Sequence, residues 1–230
     1  MKKCGKLEKR RAERDELVGA SYFHAIKAPD TPLDPYQVDT QVENFSKFSA
    51  KMDNTVKQMH GTAQELCKKY SGSYKREFSK LASTFKELGD TFEMETSPSI
   101  KVTGNTYEEI GNLYGDQPRN DLEPFGDILH EYKGILASWP EIVQIQKGAT
   151  QKKKEHQKLM EEGKLPAESV MAIARRTDII SYAVLAEITH FQQEQVGEFK
   201  NMIQDFLQEQ VKFYLKIAEK LQCALDLYNT

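Results

Sequence analysis

The clearest pattern in the sequence is a series of mostly apolar positions, three or four residues apart, from Val38 to Phe92. Fifteen steps cover 54 residues, a period of 3.6, which predicts one long helix with a single buried face. Ser71–Ser73, with glycine at its centre, predicts a bend, and Ser97–Ser99, which contains a proline, predicts the end. The positions are 38, 42, 45, 48, 52, 56, 59, 63, 66, 70, 74, 78, 81, 85, 88 and 92.

A second helix is predicted to start near Thr106. Its stripe contains Tyr107, Ile110, Leu122, Phe125, Leu129, Tyr132, Leu136, Trp139 and Val143. Pro118, Pro124 and Pro140 fall inside this stripe, and an interior proline removes a backbone hydrogen bond and kinks the axis. We therefore expect a second helix that is bent at these three prolines.

A third helix is predicted after Gly163 and Pro166. Its stripe, mainly apolar but interrupted by Thr177, Gln195 and Gln210, runs through positions 170, 173, 177, 180, 184, 188, 191, 195, 199, 202, 206, 210, 213, 217, 221, 224 and 228. Three helices of this length expose a wide apolar seam in a monomer. Symmetric dimerisation is the usual way to cover such a seam.

The composition is compatible with long helices in a reducing compartment. Of 230 residues, 39% are hydrophobic and 29% are charged, which is too apolar for a disordered chain. The three cysteines, Cys4, Cys67 and Cys223, form no CxxC pair, which argues against a disulfide framework or a zinc site. No segment resembles a signal peptide or spans a bilayer. We expect a cytosolic protein without cofactors, whose membrane contact, if any, is peripheral.

The formal net charge of −3 conceals two basic islands. Residues 1–14 hold seven basic and two acidic residues, and residues 147–164 hold six lysines and three glutamates. The remaining chain is therefore strongly acidic. The second island begins where the apolar stripe of the second helix stops, at about Ala149. A basic helix without a buried face predicts contact with an anionic partner.

Five stretches across the chain carry a specific similarity to a known family. They are RRAERDELVG (10–19), TYEEIGNLYGDQPRNDL (106–122), HEYKGILASWPEIVQIQKGA (130–149), SYAVLAEITHF (181–191) and LQEQVKFYLKIAEKL (207–221). They resemble the BAR domain of the sorting nexins that combine Src-homology-3 (SH3), phox-homology (PX) and BAR domains.

The resemblance implies an all-α fold: a long, kinked, three-helix antiparallel coiled coil that forms a crescent-shaped homodimer. It implies a BAR domain over residues 36–230. Residues 1–35, a short basic helix and a proline-containing connector, would belong to a yoke that holds a PX domain of the full-length chain. That domain would precede residue 1, so the sequence resembles an excised piece of a longer protein.

The resemblance also implies a function. The dimer would sense or generate membrane curvature by binding anionic, phosphoinositide-containing membranes electrostatically, in endocytosis and vesicle trafficking. It would lie peripherally on the plasma membrane, endocytic vesicles and endosomes. The matching basic residues are Lys9, Arg10 and Arg11 in the N-terminal helix, and Lys147, Lys152, Lys153, Lys154, Lys158 and Lys164 at the tip between the second and third helices.

There are three alternatives to this interpretation. The chain could be a long-helix dimerisation scaffold for protein partners, with no membrane contact of its own. Asp127-Ile-Leu-His130 and Glu187-Ile-Thr-His190 read as carboxylate-x-x-His motifs of a di-metal enzyme, but only one begins with glutamate, and we expect no enzyme. Net acidity and the lack of aromatics among the basic residues argue against nucleic acid.

Overall fold

The computed structural model describes residues 33–91 and 96–229, and this part of the chain is almost entirely helical and contains no strand. The all-α prediction with three long helical stretches is therefore confirmed. The elements are α1 (Pro35–Lys68), a π-helical segment (Lys69–Tyr74), α2 (Lys75–Thr91), α3 (Ser97–Asp116), a 3₁₀ segment (Gln117–Arg119), α4 (Leu122–Glu161) and α5 (Ala167–Asp226).

The first predicted helix consists of α1, the π-helical segment and α2. The π-helical segment contains Ser71–Ser73, where the sequence predicts a bend. The Ser71 hydroxyl donates to the carbonyl of Cys67 at 2.8 Å, and the Ser73 hydroxyl donates to that of Lys69 at 3.2 Å. These side chains compete with the backbone for its carbonyls, and π-bulges are places where helices bend.

The second predicted helix begins earlier than the sequence pattern suggested. It starts at Ser97, with Pro98 in its first turn, so Ser97–Ser99 opens α3 and does not end the preceding helix. The predicted start of the second helix near Thr106 was therefore wrong. Proline breaks the interior of a helix, but it is favourable in the first turn, because the backbone N–H groups there have no hydrogen-bond partner within the helix.

The three prolines of the second stripe occupy different settings. Pro118 lies in the 3₁₀ segment that separates α3 from α4. Pro124 lies in the first turn of α4, where a proline is tolerated, and Pro140 lies in the interior of the same helix. The kinks expected at these residues remain predictions.

The chain divides into two compact units, which are described separately. In the described part of the first unit, residues 33–50 and 137–193, the core is an aromatic cluster of one side chain from each of three helices. The ring centroids of Phe45 and Trp139 lie 4.4 Å apart, and Phe191 lies 5.6 Å from Phe45 and 5.9 Å from Trp139. All three side chains are buried, as their helical spacing predicts.

The second unit, described over residues 51–91, 96–136 and 194–229, has a longer row of aromatic contacts. Tyr114 stacks on Phe78 at 4.9 Å and meets Phe213 edge-on at the same distance. Tyr132 packs against Phe199 at 4.7 Å, and its hydroxyl donates to Glu198. Burial, and then Glu198, raise the pKa of Tyr132 well above its usual range.

A buried carboxylate stabilises the junction between the 3₁₀ segment and α4. Asp121 is 1% exposed, and its carboxylate accepts hydrogen bonds from the side-chain amides of Gln117 and Gln210 and from the backbone N–H of Leu122. A buried charge requires such partners. Gln210, which interrupts the apolar stripe of the third predicted helix, is thereby explained by a polar contact.

Glycines allow α3 to approach α2 closely. A Cβ at Gly104 would lie 2.8 Å from the carbonyl oxygen of Ala82 and 2.8 Å from Cγ of Lys86. The carbonyl cannot move away without disturbing α2, so only glycine fits this position without a shift of the backbone.

We predict that Gly104→Ala lowers the free energy of unfolding by about 1–2 kcal/mol, because overpacking outweighs the better helix propensity of alanine. Gly134→Ala is the matched control, because Gly134 is exposed in the interior of α4 and a Cβ there meets nothing within 4 Å. The control should be neutral or stabilising by up to about 1 kcal/mol. Urea unfolding measures both, and equal effects would contradict the close-packing argument.

Candidate functional site

The lysine-rich stretch predicted from sequence forms the end of a helical hairpin. This basic segment (residues 147–164) comprises the last turns of α4 and the turn that leads into α5. Gly163 has a φ of +70°, and the N–H groups of Gly163 and Lys164 donate to the carbonyls of Met160 and Leu159. This is the Schellman pattern, in which glycine closes the helix in a left-handed conformation.

The basic segment extends beyond the buried core of the first unit. On α4 the last buried residue is Gln146, on α5 the first is Val170, and none of residues 147–169 is buried. At the base of this stretch, the Thr177 hydroxyl donates to the carbonyls of Ala149 and Ile173. Toward the turn, the half-buried residues include Leu159, Met160 and Leu165.

The six lysines of the basic segment differ in how they are paired. Lys153 forms an ion pair with Asp178 of α5 at 2.7 Å and Lys164 pairs with Glu162 at 2.7 Å, whereas Lys154 lies 3.9 Å from Asp39. The other three, Lys147, Lys152 and Lys158, are exposed and form no ion pair with a carboxylate of residues 33–91 or 96–229.

These pairings leave the segment available to an external anion. The Lys154–Asp39 and Lys164–Glu162 pairs are exposed, and such pairs are worth only about 0–1 kcal/mol, so they open at little cost. Lys153 and Asp178 are partly buried. The predicted basic residues of the N-terminal helix, Lys9, Arg10 and Arg11, lie outside the described residues.

A second surface, in the second unit, is apolar. The C-terminal half of α5 carries large apolar side chains that face solvent, among them Leu207 at 53%, Val211 at 58% and Leu215 at 64% exposure. We call this set the exposed α5 stripe: Val196, Ile203, Leu207, Val211, Tyr214, Leu215, Leu221 and Leu225. An exposed apolar face of this extent is uncommon on a monomeric soluble protein and marks an interaction site.

The sequence predicts an apolar seam, but of the exposed α5 stripe only Leu221 belongs to the apolar series read along the third helix. That series mostly follows another face of the helix, on which Met202, Phe213 and Ala224 are buried. The signal that could have found the second stripe is a parallel series at 203, 207, 211 and 214, displaced by about one residue from the first. A helix with two apolar faces contacts two different neighbours.

The carboxylate-x-x-His motifs do not combine into one centre. Glu187 and His190 are exposed on α5 in the first unit, whereas Asp127 and His130 are exposed on α4 in the second. Among the described residues, no group of three or more His, Cys, Asp or Glu side chains is placed to hold a metal ion.

His130 instead lies beside His60 of α1, with the ring centroids 5.6 Å apart. Burial, followed by the charges of Lys133 and His130, lowers the pKa of His60, against the opposing charge of Asp127. The imidazole of His60 is therefore held in its neutral form to lower pH than usual.

Within residues 33–91 and 96–229, no helix combines the length and the apolar character that are needed to cross a bilayer. The long helices of this region owe their length to amphipathic stripes and not to uniformly apolar segments.

Comparison with known proteins identifies the family. Residues 2–229 match the family model described as "WASP-binding domain of Sorting nexin protein". The chain is 38% identical to human sorting nexin-33 and 39% identical to mouse sorting nexin-18, over 97% and 99% of its length. It covers 40% and 38% of those two proteins. Sorting nexin lst-4 of Caenorhabditis elegans is 33% identical over 96% of the chain and is 39% covered.

The fold is also found among solved structures. The N-terminal I-BAR domain of D. discoideum IBARa superimposes with a TM-score of 0.51 at 11% sequence identity, covering 86% of this chain and 91% of that one. At this identity the similarity concerns the fold alone. The sequence matches and the fold together confirm the resemblance stated from the sequence: the chain belongs to the WASP-binding, BAR-type domain family of the sorting nexins that have SH3, PX and BAR domains.

Proposed function

We propose that the chain is a dimeric membrane-curvature module that binds anionic, phosphoinositide-containing membranes through its basic segment. The observation that carries the proposal is that residues 147–164 extend past the buried core as an exposed, lysine-rich hairpin in a member of a BAR-type family. Its exposed lysines can meet lipid head groups.

The expected binding energy is adequate without a lipid pocket. A basic residue near an anionic leaflet contributes about 1 kcal/mol, and the effect decays within a Debye length of about 10 Å. Six lysines less three glutamates leave a net positive hairpin on each protomer. Two hairpins in one dimer act together, because binding of the first raises the effective concentration of the second.

We propose that the exposed α5 stripe forms the homodimer seam. The stripe lies on the long helix in a region where a monomer would leave bulky aliphatic side chains in water. Each fully buried Leu or Val side chain contributes about 1.5–3 kcal/mol, and a two-fold interface counts every such contact twice. Dimerisation would also bring two basic segments into one particle.

The proposed cellular role is the one implied by membership of the sorting nexin family. We propose that the protein acts peripherally at the plasma membrane, endocytic vesicles and endosomes, in endocytosis and vesicle trafficking. Residues 36–230 would be the BAR domain, and residues 1–35, with Lys9, Arg10 and Arg11, would form part of a yoke to a PX domain of the full-length protein. Phosphoinositide selectivity would come mainly from that PX domain.

A second candidate function rests on the family description, which names a protein partner. We propose that the same dimer also serves as a scaffold for a protein of the WASP type. Analytical ultracentrifugation of the chain with purified WASP should show a complex. If no complex forms at micromolar concentrations, the scaffold proposal is contradicted and the membrane proposal is unaffected.

We predict that reversing the charge of Lys152, Lys153, Lys154 and Lys158 to Glu weakens binding to anionic vesicles by about 100-fold or more, because each lysine loses an attraction of about 1 kcal/mol. Co-sedimentation with liposomes of increasing phosphatidylserine and phosphatidylinositol 4,5-bisphosphate content measures this. The native chain should pellet in proportion to lipid charge.

The matched control reverses the same number of exposed lysines elsewhere: Lys51, Lys57, Lys69 and Lys80. If both variants lose binding equally, overall charge and not the basic segment is responsible. Binding of the native chain that ignores lipid charge would overturn the membrane proposal and favour the scaffold.

We predict that Leu207→Glu together with Val211→Glu weakens the dimer by at least about 100-fold, since dimerisation would then bury unpaired carboxylates twice. Light scattering coupled to size exclusion should show one chain per particle. Ile145→Glu is the control, because Ile145 is 55% exposed on α4 in the first unit, outside the stripe. A dimer that survives the double substitution would place the seam elsewhere.

A further inference from the structure

Two histidines from separate helices face each other on the surface of the second unit. His60 lies on α1 and His130 on α4, and their rings are 5.6 Å apart with an angle of 34° between their planes. His130 is exposed and His60 is partly exposed. Asp127 precedes His130 by three residues and therefore lies on the same helical face. The proposed membrane and dimer contacts do not use this pair.

The spacing of the rings suits a bridging metal ion. An imidazole nitrogen binds Zn²⁺ at about 2.0–2.1 Å, which puts the ion roughly 3.2 Å from the centre of each ring. Two rings at the observed separation would then subtend an angle of about 120° at the ion, near the tetrahedral value of about 109°. Binding would require each ring to direct one of its nitrogens at this common point.

Gln64, which contacts His60, would not prevent metal binding. The Nε2 atoms of Gln64 and His60 are 3.4 Å apart, which is long for a hydrogen bond. A metal ion that displaced this contact would disturb a weak interaction only. Lys133 is the nearby cation whose charge acts on His60, and Asp127 is a carboxylate that opposes it. Of these two charges Lys133 acts more strongly, so a bound cation would be held by its two nitrogen ligands and not by the surrounding charge.

We propose that His60 and His130 form a surface site for a late first-row divalent metal ion such as Zn²⁺, which links α1 to α4. The protein supplies two imidazoles, and water completes the coordination. Neutral imidazole suits Zn²⁺, Cu²⁺ and Ni²⁺, whereas Mg²⁺ and Ca²⁺ prefer oxygen ligands. The site is therefore selective by ligand type.

Metal binding at this site would stabilise the helical packing. The two ligands are 70 residues apart in sequence, so the unfolded chain does not present them together. A ligand that binds only the folded state shifts the folding equilibrium by about 100-fold when it is present at 100 times its dissociation constant. The ion would tie together two helices whose rigidity a curvature module requires.

Isothermal titration with Zn²⁺ on the tag-free chain tests the proposal. We expect one site per chain in the native protein, and binding at least about tenfold weaker in His60→Ala and in His130→Ala, since even loss of a group behind a metal ligand costs about 10- to 100-fold. His190→Ala is the matched control, because His190 is exposed on α5 in the other unit. Equal affinity in all four proteins would overturn the proposal.

Electron paramagnetic resonance with Cu²⁺ gives a readout that loss of folding cannot imitate. The native chain and His190→Ala should show nitrogen couplings from two imidazoles, and each single variant of the pair should show one. The melting temperature should rise on addition of Zn²⁺ in the native chain and in His190→Ala only. Coupling to only one imidazole nitrogen in the native chain would contradict the bridging site. A rise in melting temperature on addition of Zn²⁺ in all variants would contradict it too.

Discussion

The structure depends on the burial of one apolar stripe along each long helix. Isolated helices are marginal in water, and tertiary packing of an amphipathic face supplies most of their stability. In the first unit, Phe45, Trp139 and Phe191 bring the three stripes together in one aromatic cluster. In the second unit, glycine at position 104 lets α3 pack almost against the backbone of α2.

Where the stripe is interrupted, a polar contact takes its place. The buried carboxylate of Asp121 is satisfied by Gln117, Gln210 and a backbone N–H at the junction between the 3₁₀ segment and α4. A break in a helix leaves backbone groups without partners, and such groups must be paired when they are buried. Two of the polar residues in the third stripe, Thr177 and Gln210, are therefore structural exceptions with specific partners, and they do not weaken the assignment of its buried face.

The two proposed contact surfaces lie where a helix loses its buried apolar stripe or carries a second apolar stripe beside it. Residues 147–169, around the α4–α5 turn, include no buried residue, and their exposed surface is lysine-rich. On the C-terminal half of α5, a second apolar row accompanies the buried one, and it faces solvent in the single chain. The two surfaces differ in chemistry, one charged and one apolar, so a change in one should leave the other intact.

Periodicity and turn residues are local properties, so the sequence was enough to predict the three long helical stretches, the turn at Gly163 and the lysines of the basic segment. The predicted start of α3 was misplaced, since a proline occurs both just after the end of a helix and in its first turn. The packing of the helices is what pairs Lys153 with Asp178, leaves the exposed α5 stripe uncovered, and brings His60 beside His130. These depend on which helical faces meet, and residues far apart in sequence carry no local signal of that meeting.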